Sequence, residues 1–318
     1  MNTIPSIFNE RQINRTVLGG TETAPGIKLP VSVVLINGNG SHFRQQTLEN
    51  LMKCGFASVV SLEPTPDNYN IEDFVTKFPS IKFIVPLEKV TDGDLVNIGI
   101  SESCGDYVLV LRDTLRIPPG ILTPNLTSRL TESGAYCIVP RLVTQEKQGL
   151  PVQYIPMAER SKLRVAASAT VMDGMKTLYP FDYIGLYNRQ KFIQLGGFDY
   201  TITSSYWQNL DLSFRAWLWG ETISLSTKFQ LEYGQTVPVE DSTTDQSYLR
   251  FYLKNLLPRF KADHGMIPMP SFFIFLGSSS LGFFESRKQF MDARRWVDKN
   301  KFRFRFDAVS IIENWDRK

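Results

Sequence analysis

The feature that most constrains the fold is a regular alternation between short apolar runs and segments with helical spacing. The apolar runs are rich in Val, Ile and Leu and lie at residues 30–36, 58–62, 81–85 and 107–111. The segments with helical spacing cover residues 45–54, 71–78 and 94–103. Strands that alternate with helices form a mostly parallel sheet with helices on both faces. The sequence therefore predicts an α/β fold.

The second half of the chain continues this pattern with less regularity. Helices are expected at residues 121–132, 207–219 and 247–257, and strands at residues 135–139, 181–187 and 223–230. Residues 141–176 are polar and basic without a clear period, so we expect a long loop with some helix there. Two helical stretches, at residues 288–297 and 308–315, predict a C-terminal helical extension. We divide the chain into an N-terminal extension (1–28), a main domain (29–240) and this C-terminal extension (241–318).

Composition narrows the kind of chemistry that is available. The 318 residues carry 35 basic and 32 acidic side chains, and this near balance argues against a dedicated nucleic-acid binder. Only 2 His and 3 Cys are present, which disfavours a Cys/His zinc site and a disulfide framework. Residues 1–29 lack the apolar core of a secretory signal, so a cytoplasmic protein is expected. Its chemistry is expected to rest on carboxylates, hydroxyls and amides.

Several acidic residues fall in the loops that follow the predicted strands. They are Glu63, Asp67, Asp92, Asp94 and Asp113. Ligands bind to open parallel sheets at the carboxyl ends of the strands, so this cluster predicts a binding site, although single acids in loops are also common as solvated turn formers. The first loop, residues 37–42, lacks both the dinucleotide-binding and the P-loop glycine patterns. His42 in that loop is either a phosphate contact or an ordinary surface residue.

Four motifs, in order along the chain, resemble those of the family-2 glycosyltransferases of the GT-A fold. They are the strand and helix of residues 31–51, the stretch from Asn97 to Thr114, the Leu195-Gly-Gly-Phe-Asp199 segment, and the helix from Asn209 to Arg215. The resemblance covers roughly residues 30–235. It implies a GT-A fold and transfer of a sugar from a nucleotide diphosphate donor to an acceptor hydroxyl, with inversion at the anomeric carbon. The implied acceptor is a glycan, a lipid-linked molecule or a protein.

The resemblance also implies roles for individual residues. The donor nucleotide is implied to lie against Asn37, Glu63, Asp94 and Asn97, with Ser61 competing with Glu63 for the nucleotide-holding position. A carboxylate of the Asp-x-Asp motif holds Mg²⁺ or Mn²⁺ at the diphosphate in this family. Here that motif reads Leu111-Arg112-Asp113, so Asp113 is the implied metal ligand. The Arg112 guanidinium could bind the diphosphate in place of the metal, since Arg binds phosphate bidentately. An outward-facing role for Arg112 at the strand end is the other interpretation.

The position of the catalytic base departs from the family pattern. The family places Glu-Asp where this chain has Gln208-Asn209, and an amide cannot accept a proton at neutral pH. Asp211 is retained, but it is two residues away and points to another face of the helix. The candidates for the catalytic site are therefore Asp199, Asp211 and Asn209, with Asp182 as a further acid for the role of base.

Two functional hypotheses remain open. One is an active glycosyltransferase with an altered, metal-independent site. The other is a catalytically silent GT-A-like domain that binds a nucleotide sugar, a glycan or a protein partner. A nucleotidyltransferase is disfavoured because its Gly-rich basic loop is missing.

Two further features concern the acceptor and a membrane. Trp207 is a candidate acceptor contact, because aromatic rings stack well on sugars. A basic helix face in the tail comprises Arg287, Lys288, Arg294 and Arg295. It either contacts an anionic membrane surface peripherally, binds an acidic partner, or is simply solvated. Residues 266–284 are apolar but interrupted, and we expect them to be a buried segment rather than an interfacial one.

Overall fold

The computed structural model describes residues 12–22, 26, 29–38, 44–63, 71–159 and 162–316. The rest of the predicted N-terminal extension and parts of two predicted loops, with His42 and Asp67, lie outside the described residues. The strands are β1 (Arg15–Gly19), β2 (Val31–Ile36), β3 (Ser58–Leu62), β4 (Lys82–Pro86), β5 (Tyr107–Arg112), β6 (Leu115–Arg116), β7 (Cys137–Val143), β8 (Gln153–Glu159), β9 (Lys162–Ser168), β10 (Gly185–Asn188), β11 (Ile223–Tyr233), β12 (Arg259–Lys261) and β13 (His264–Met266). The helices are α1 (Arg44–Met52), α2 (Ile71–Lys77), α3 (Asp92–Glu102), α4 (Pro124–Thr131), α5 (Arg189–Leu195), α6 (Ser205–Leu218), α7 (Gln246–Phe251), α8 (Ser271–Ser278), α9 (Phe283–Asn300) and α10 (Ala308–Glu313).

A mixed sheet of nine described strands forms the centre of the molecule, in the order β1-β4-β3-β2-β5-β10-β7-β11-β6. Strands β2, β3, β4, β5, β7 and β11 run in one direction, whereas β1, β6 and β10 run against them. All six residues of β2 are buried, which explains why it reads as a continuous apolar run. The predicted α/β fold with a mostly parallel sheet is confirmed.

The register of the central strands decides which loops meet. Ile36 at the end of β2 pairs with Leu62 on one side and with Arg112 on the other. The residues that follow these three strands therefore emerge next to each other. This edge of the sheet holds the first part of the candidate site.

The region expected to be a long loop contains strands instead. Strand β7 continues to Val143, and β8 and β9 pair as an antiparallel hairpin that is separate from the main sheet. The prediction failed because the outer half of β8, residues 157–159, is exposed and therefore shows no alternation of apolar and polar residues.

The strand predicted at residues 181–187 is only partly present. Residues Phe181–Tyr183 form a 3₁₀ turn, and the strand begins at Gly185. Asp182 and Tyr183 have positive φ angles of 52° and 63°, which no extended strand can accommodate. The turn directs the Asp182 carboxylate toward Arg112, as described below.

The C-terminal part is helical, as expected, with one correction. Helix α9 is a single helix of 18 residues and is longer than the stretch predicted. The apolar segment 266–284 includes α8, and it is not buried as a whole, because Phe273 and Ile274 are 74% and 66% exposed. Among the described residues, none of the helices combines the length and the apolar character needed to cross a membrane. The domain boundaries at residues 28 and 240 stay predictions.

Candidate functional site

The donor side of the candidate site lies where β2, β3 and β5 end. The Asn37 amide nitrogen donates hydrogen bonds to Ser61 Oγ (2.8 Å) and to Glu63 Oε1 (3.1 Å). Glu63 is fully buried and forms an ion pair with Arg44 of α1. The structure thus brings Asn37, Glu63 and Ser61 together, as the sequence predicted from their positions after neighbouring strands. Their role in binding a nucleotide stays a prediction.

Asp113 directly follows β5 and lies at the same edge of the sheet. Its Oδ2 accepts a hydrogen bond from the backbone N–H of Gly38 (2.8 Å), which directly follows Asn37. Burial raises the pKa of Asp113 in spite of that hydrogen bond and of the nearby Arg112. Asp113 therefore links the loop after β2 to the loop after β5.

Arg112 is held between two carboxylates. Its Nη1 and Nη2 contact Asp92 at 3.3 and 3.0 Å, and Nη2 also lies 2.9 Å from Asp182 Oδ1. Burial opposes the charged form of Arg112, but Asp182 and Asp92 outweigh it and raise the pKa of the guanidinium. Burial also disfavours the charged form of Asp182 and raises the pKa of this carboxyl group. Burial acts on Asp92 in the same direction, but the charge and hydrogen bonds of Arg112 outweigh it and lower the pKa of Asp92. The interpretation of Arg112 as an outward-facing strand-end residue is therefore wrong.

A cleft of about 520 Å³ lies beside these acids. Asp92 and Asp182 form one part of its wall, and the start of α6 and residues 238–241 form the rest. Ser205 at the start of α6 donates a hydrogen bond to Asp92 Oδ2 (3.1 Å). The volume falls in the range of small-molecule sites.

Glu240 is a carboxyl group in this cleft that the sequence analysis did not single out. It accepts a hydrogen bond from the Tyr179 hydroxyl (2.6 Å). Burial raises the pKa of Glu240 to about 7, and the charge of Asp182 adds to this effect. Tyr179 is itself stacked on Tyr154 at 4.1 Å and meets the edge of Tyr206, so the carboxyl group has an aromatic setting. A carboxyl group that titrates near neutrality in a cleft is a typical functional residue.

The structure places Asp199 and Asp211 away from the cleft. Both are fully buried, and both accept hydrogen bonds from Lys254 Nζ, at 3.0 and 2.8 Å. Asn255 donates a further bond to Asp211 (2.7 Å), and Arg250 pairs with Asp199 (3.3 Å). Burial disfavours the charge of Asp199, but Lys254 and Arg250 hold its pKa well below the usual range. The two acids thus belong to a buried ionic network and are not among the residues that line the cleft, and a catalytic role for either stays a prediction.

Two predicted donor contacts are also engaged within the fold. Asp94 forms a capping box with Thr91 at the start of α3 and is fully buried. The amide group of Asn97 bonds the backbone N–H and C=O of Phe198, both at 2.9 Å. These side chains position α3 and the segment before α6, and do not line the cleft among the described residues.

Gln208 stands where the resembled family has its catalytic base, and its side chain connects two helices. Gln208 Oε1 accepts hydrogen bonds from the Gly93 N–H (2.9 Å) and the Tyr183 hydroxyl (3.3 Å). Its nitrogen donates to Thr91 Oγ1 (2.9 Å) and to the Asp199 carbonyl (3.0 Å). Gln208 thus joins α6 to α3 and holds no proton-transfer role.

Of the predicted catalytic residues, Asn209 lines the cleft together with Asp182, the further acid named for the role of base. Its amide nitrogen donates a hydrogen bond to the Pro180 carbonyl (2.6 Å), and its Oδ1 has no partner among the described residues. Trp207, in contrast, is buried and donates its indole N–H to the Thr243 carbonyl (2.8 Å), so the prediction that it contacts an acceptor is wrong. Asn209 Oδ1 is left to accept a hydrogen bond from a ligand.

The acidic side chains at this site offer few oxygen ligands to a divalent cation. At phosphate-binding sites Mg²⁺ is usually held by one or two carboxylates together with waters and substrate phosphates. Asp113 is the only acid left of the Asp-x-Asp motif and already binds an amide, and Asp92 and Asp182 already hold the Arg112 guanidinium. Within the described ranges, no three acidic, His or Cys side chains are grouped to hold a metal. Asp113 as a metal ligand therefore stays a prediction, and the charges of Arg112 and Arg44 act on its carboxylate.

Comparison with known proteins gives the fold class. No family model and no curated protein matches the sequence. Among solved structures, the chain is similar to GalNAc-T7 with UDP, GalNAc and Mn²⁺, with 11% identity and a TM-score of 0.54 over 91% of this chain. The match spans 58% of the GalNAc-T7 chain. The fold is therefore the GT-A-like α/β fold of such glycosyltransferases.

Two other structures in the comparison have lower TM-scores. One is S. aureus TarS 1-349, at 12% identity, a TM-score of 0.49, and coverage of 83% of this chain and 71% of that chain. The other is the mannosyltransferase PcManGT from Pyrobaculum calidifontis with GDP-Man and Mn²⁺, at 10% identity, a TM-score of 0.48, and coverage of 91% and 74%.

Sequence reasoning missed the residues that converge on the cleft from distant parts of the chain. Asp92 was noticed as a loop acid but not as a partner of Arg112, which is 20 positions later. Glu240 carries no motif and stands in a polar loop beyond the predicted elements. Asp182 was named as a further acid for the role of base, and its place within an apolar run, which is unusual in a buried strand, was a signal for it.

Proposed function

We propose that this protein is a family-2-like glycosyltransferase that moves a sugar from a nucleotide diphosphate donor to an acceptor hydroxyl, with the Arg112 guanidinium at the diphosphate in place of a metal ion. The observation that carries the proposal is the pairing of Arg112 with Asp92 and Asp182 at the wall of the cleft. These contacts use three of the five N–H donors of the guanidinium, and Nε has no partner among the described residues. The second N–H of Nη1 is the donor proposed for an oxygen of a leaving diphosphate, whereas Nε is buried.

Glu240 is the proposed base of this reaction. Its carboxylate takes the proton of the acceptor hydroxyl while the acceptor oxygen forms a bond to the anomeric carbon. The bond from that carbon to the diphosphate oxygen breaks, and the nucleoside diphosphate leaves with its new negative charge facing Arg112. This single displacement inverts the anomeric carbon. A raised pKa of about 7 makes Glu240 a stronger base than an ordinary carboxylate and leaves much of it charged at neutral pH.

Two groups of residues are assigned to the two substrates. Asn37, Glu63 and Asp113 form the proposed donor side, where β2, β3 and β5 end. The hydroxyl groups of residues 203–205 and the ring of Tyr206 line the cleft and suit a polyhydroxylated acceptor. The acceptor is a glycan, a lipid-linked sugar or a protein side chain.

A second candidate function is a silent domain that binds a nucleotide sugar without turnover. The observation in its favour is that Asp92 and Asp182 already neutralise Arg112, which weakens its attraction for a diphosphate. The two candidates differ in turnover and not in binding. A thermal-shift panel of nucleotide sugars identifies a donor, and product formation with that donor separates them.

The test of the proposal uses Arg112→Ala. With the donor identified by the panel, turnover is expected to continue in EDTA and to fall about 10²-fold or more in Arg112→Ala, because the leaving charge loses the cation proposed to face it. Arg116→Ala, whose exposed guanidinium pairs with Glu232, is the matched control and should keep the rate. Binding of the donor without turnover supports the silent domain, and a strict need for Mn²⁺ contradicts the role of Arg112.

A further inference from the structure

An aromatic surface protrudes from the C-terminal part of the molecule. We call it the aromatic tip; it comprises Phe272, Phe273, Ile274, Phe283 and Phe284 of α8 and α9. Four of these side chains are strongly exposed, Phe273 at 74%, Ile274 at 66%, Phe283 at 52% and Phe284 at 86%. The rings form a continuous surface. The ring centroid of Phe272 lies 5.8 Å from that of Phe273 and 5.9 Å from that of Phe283, and the centroids of Phe283 and Phe284 are 5.7 Å apart.

The exposure of the tip does not come from a failure of α8 to pack. Phe275 is fully buried and stacks on Tyr252, and Phe272 meets the edge of Phe290 at 5.3 Å. These contacts attach α8 to the rest of the protein through one face. The sequence of α8 is apolar on all faces, so its other face presents Phe273 and Ile274 to the solvent. A contiguous exposed aromatic surface of this kind marks an interaction site.

Basic side chains continue the surface along α9. Arg287, Lys288, Met291 and Arg295 follow Phe284 by three, four, seven and eleven positions, which places them on the same side of the helix. Within the described ranges, no salt bridge engages Arg287 or Lys288, whereas Arg295 pairs with Asp292. Glu285, the acid nearest to the tip, directly follows Phe284 and so lies off this stripe; it accepts a hydrogen bond from Gln289. The outer side of α9 is therefore aromatic at its start and cationic in the turn that follows, whereas Asp298, farther along the same side, pairs with Lys301.

The chain segment that surrounds the aromatic tip is also positively charged. Residues 259–307 contain ten basic and five acidic side chains, a net charge of +5, although the whole chain carries only +3. The rest of the chain is thus slightly acidic. A positive charge concentrated beside exposed aromatic rings is the pattern of surfaces that bind anionic lipid.

We propose that the aromatic tip docks this protein on an anionic phospholipid membrane. The rings of Phe273, Phe283 and Phe284 enter the boundary between headgroups and acyl chains, and Arg287 and Lys288 contact the lipid phosphates. A second copy of the chain suits this surface less well, because a symmetric contact would bring the same cations face to face. Docking through the tip does not depend on the proposed glycosyl transfer, and the two are tested separately.

Flotation of the full chain with lipid vesicles tests the proposal. The protein is expected to float with vesicles of phosphatidylcholine mixed with phosphatidylglycerol, and to bind pure phosphatidylcholine vesicles far less. Phe273→Ser with Phe284→Ser should lower the partition into mixed vesicles on the order of tenfold or more, since two apolar side chains no longer leave water. Arg287→Glu with Lys288→Glu should abolish the preference for the anionic lipid.

Matched controls use exposed side chains elsewhere in the chain. Leu87→Ser with Met172→Ser removes two apolar side chains that are 61% and 62% exposed, and it should leave binding unchanged. Lys53→Glu with Arg129→Glu reverses two exposed charges and should have only a small effect. The substituted side chains are exposed, so the thermal midpoint of each variant should equal that of the unsubstituted protein.

Three outcomes overturn the proposal. One is equal binding of the unsubstituted protein to both kinds of vesicle, and another is unchanged binding of the Phe273→Ser, Phe284→Ser variant. The third is a dimer in sedimentation equilibrium that this variant dissociates, without vesicle binding by the unsubstituted protein, because the occupant of the tip is then a second copy.

Discussion

At the scale of single residues, the acids of this protein differ in role because their surroundings differ. Asp199 and Asp211 share the Lys254 ammonium in a fully buried network, and the pKa of Asp199 is held low. Among the described residues no cation acts on the pKa of Glu240, and burial raises that pKa to about 7. A motif that names an acid therefore does not say whether it stabilises the fold or exchanges protons.

The pH dependence of turnover tests the role of Glu240. The proposed base works as a carboxylate, so the turnover rate should rise as the pH rises through about 7 and level off above it. Glu240→Gln should lower the rate about 10²-fold or more and remove this rise, because an amide accepts no proton. A pH profile of kcat at saturating donor measures both effects. Glu132→Gln, at the exposed end of α4, is the control. A rate that falls as the pH rises through neutrality contradicts the assignment.

At the scale of elements, the packing of α3 against α6 shapes the site. Gln208 of α6 bonds Gly93 and Thr91 of α3, and Asp92 of the same turn holds Arg112. The two helices can approach this closely because residue 93 has no side chain. The contact therefore determines where the Asp92 carboxylate lies in the cleft.

Substitution of Gly93 tests this contact. A Cβ atom at position 93 would lie 2.7 Å from Cβ of Phe198 and would also collide with the Gln208 amide. We expect Gly93→Ala to lower the free energy of unfolding by about 1–3 kcal/mol, measured by urea denaturation. Gly277→Ala in α8, where nothing lies within 4 Å of the added atom, should be neutral or slightly stabilising. Equal stability of both variants would show that the two helices adjust freely.

At the scale of the whole molecule, the C-terminal helices complete the core of the main domain. Lys254, in the π-helical turn after α7, supplies the cation for Asp211 of α6. Trp296 of α9 lies over that ammonium at 5.2 Å and stacks on Trp219 at 6.1 Å. The segment predicted as an extension is thus joined to the main domain by buried charge and aromatic contacts.

We therefore expect the described chain to unfold as one unit. Trp296→Ala should lower the free energy of unfolding by about 3–5 kcal/mol, because it opens a cavity in this joint. Urea unfolding followed by tryptophan fluorescence and by far-UV circular dichroism should give coincident transitions in the unsubstituted protein. Phe302→Ala removes an aromatic ring that is 72% exposed, and should change stability little. Two separated transitions would contradict a single cooperative unit.

The sequence predicted the central strands well because they are buried on both sides. A short apolar run such as Val31–Ile36 is read as a buried strand and not as part of a helix, because it is short and a helical segment follows it. It predicted the positions of Asn37, Glu63 and Asp113 for the same reason, since parallel strands end at a common edge. It failed at β8 and β9, since the outer half of β8 is exposed and shows no period. It also failed at the turn of Asp182, because one acid within an apolar run does not specify a positive φ angle.

The sequence by itself determined the order of the elements and which residues follow each central strand, because these depend on local periodicity. Only the tertiary structure decided which acids meet Arg112, which acids are enclosed by Lys254, and that Glu240 stands in the cleft. These residues are distant along the chain, and their chemistry depends on burial and on neighbouring charges. The exposure of the aromatic tip was decided in the same way, since an apolar segment does not reveal which of its faces finds a partner.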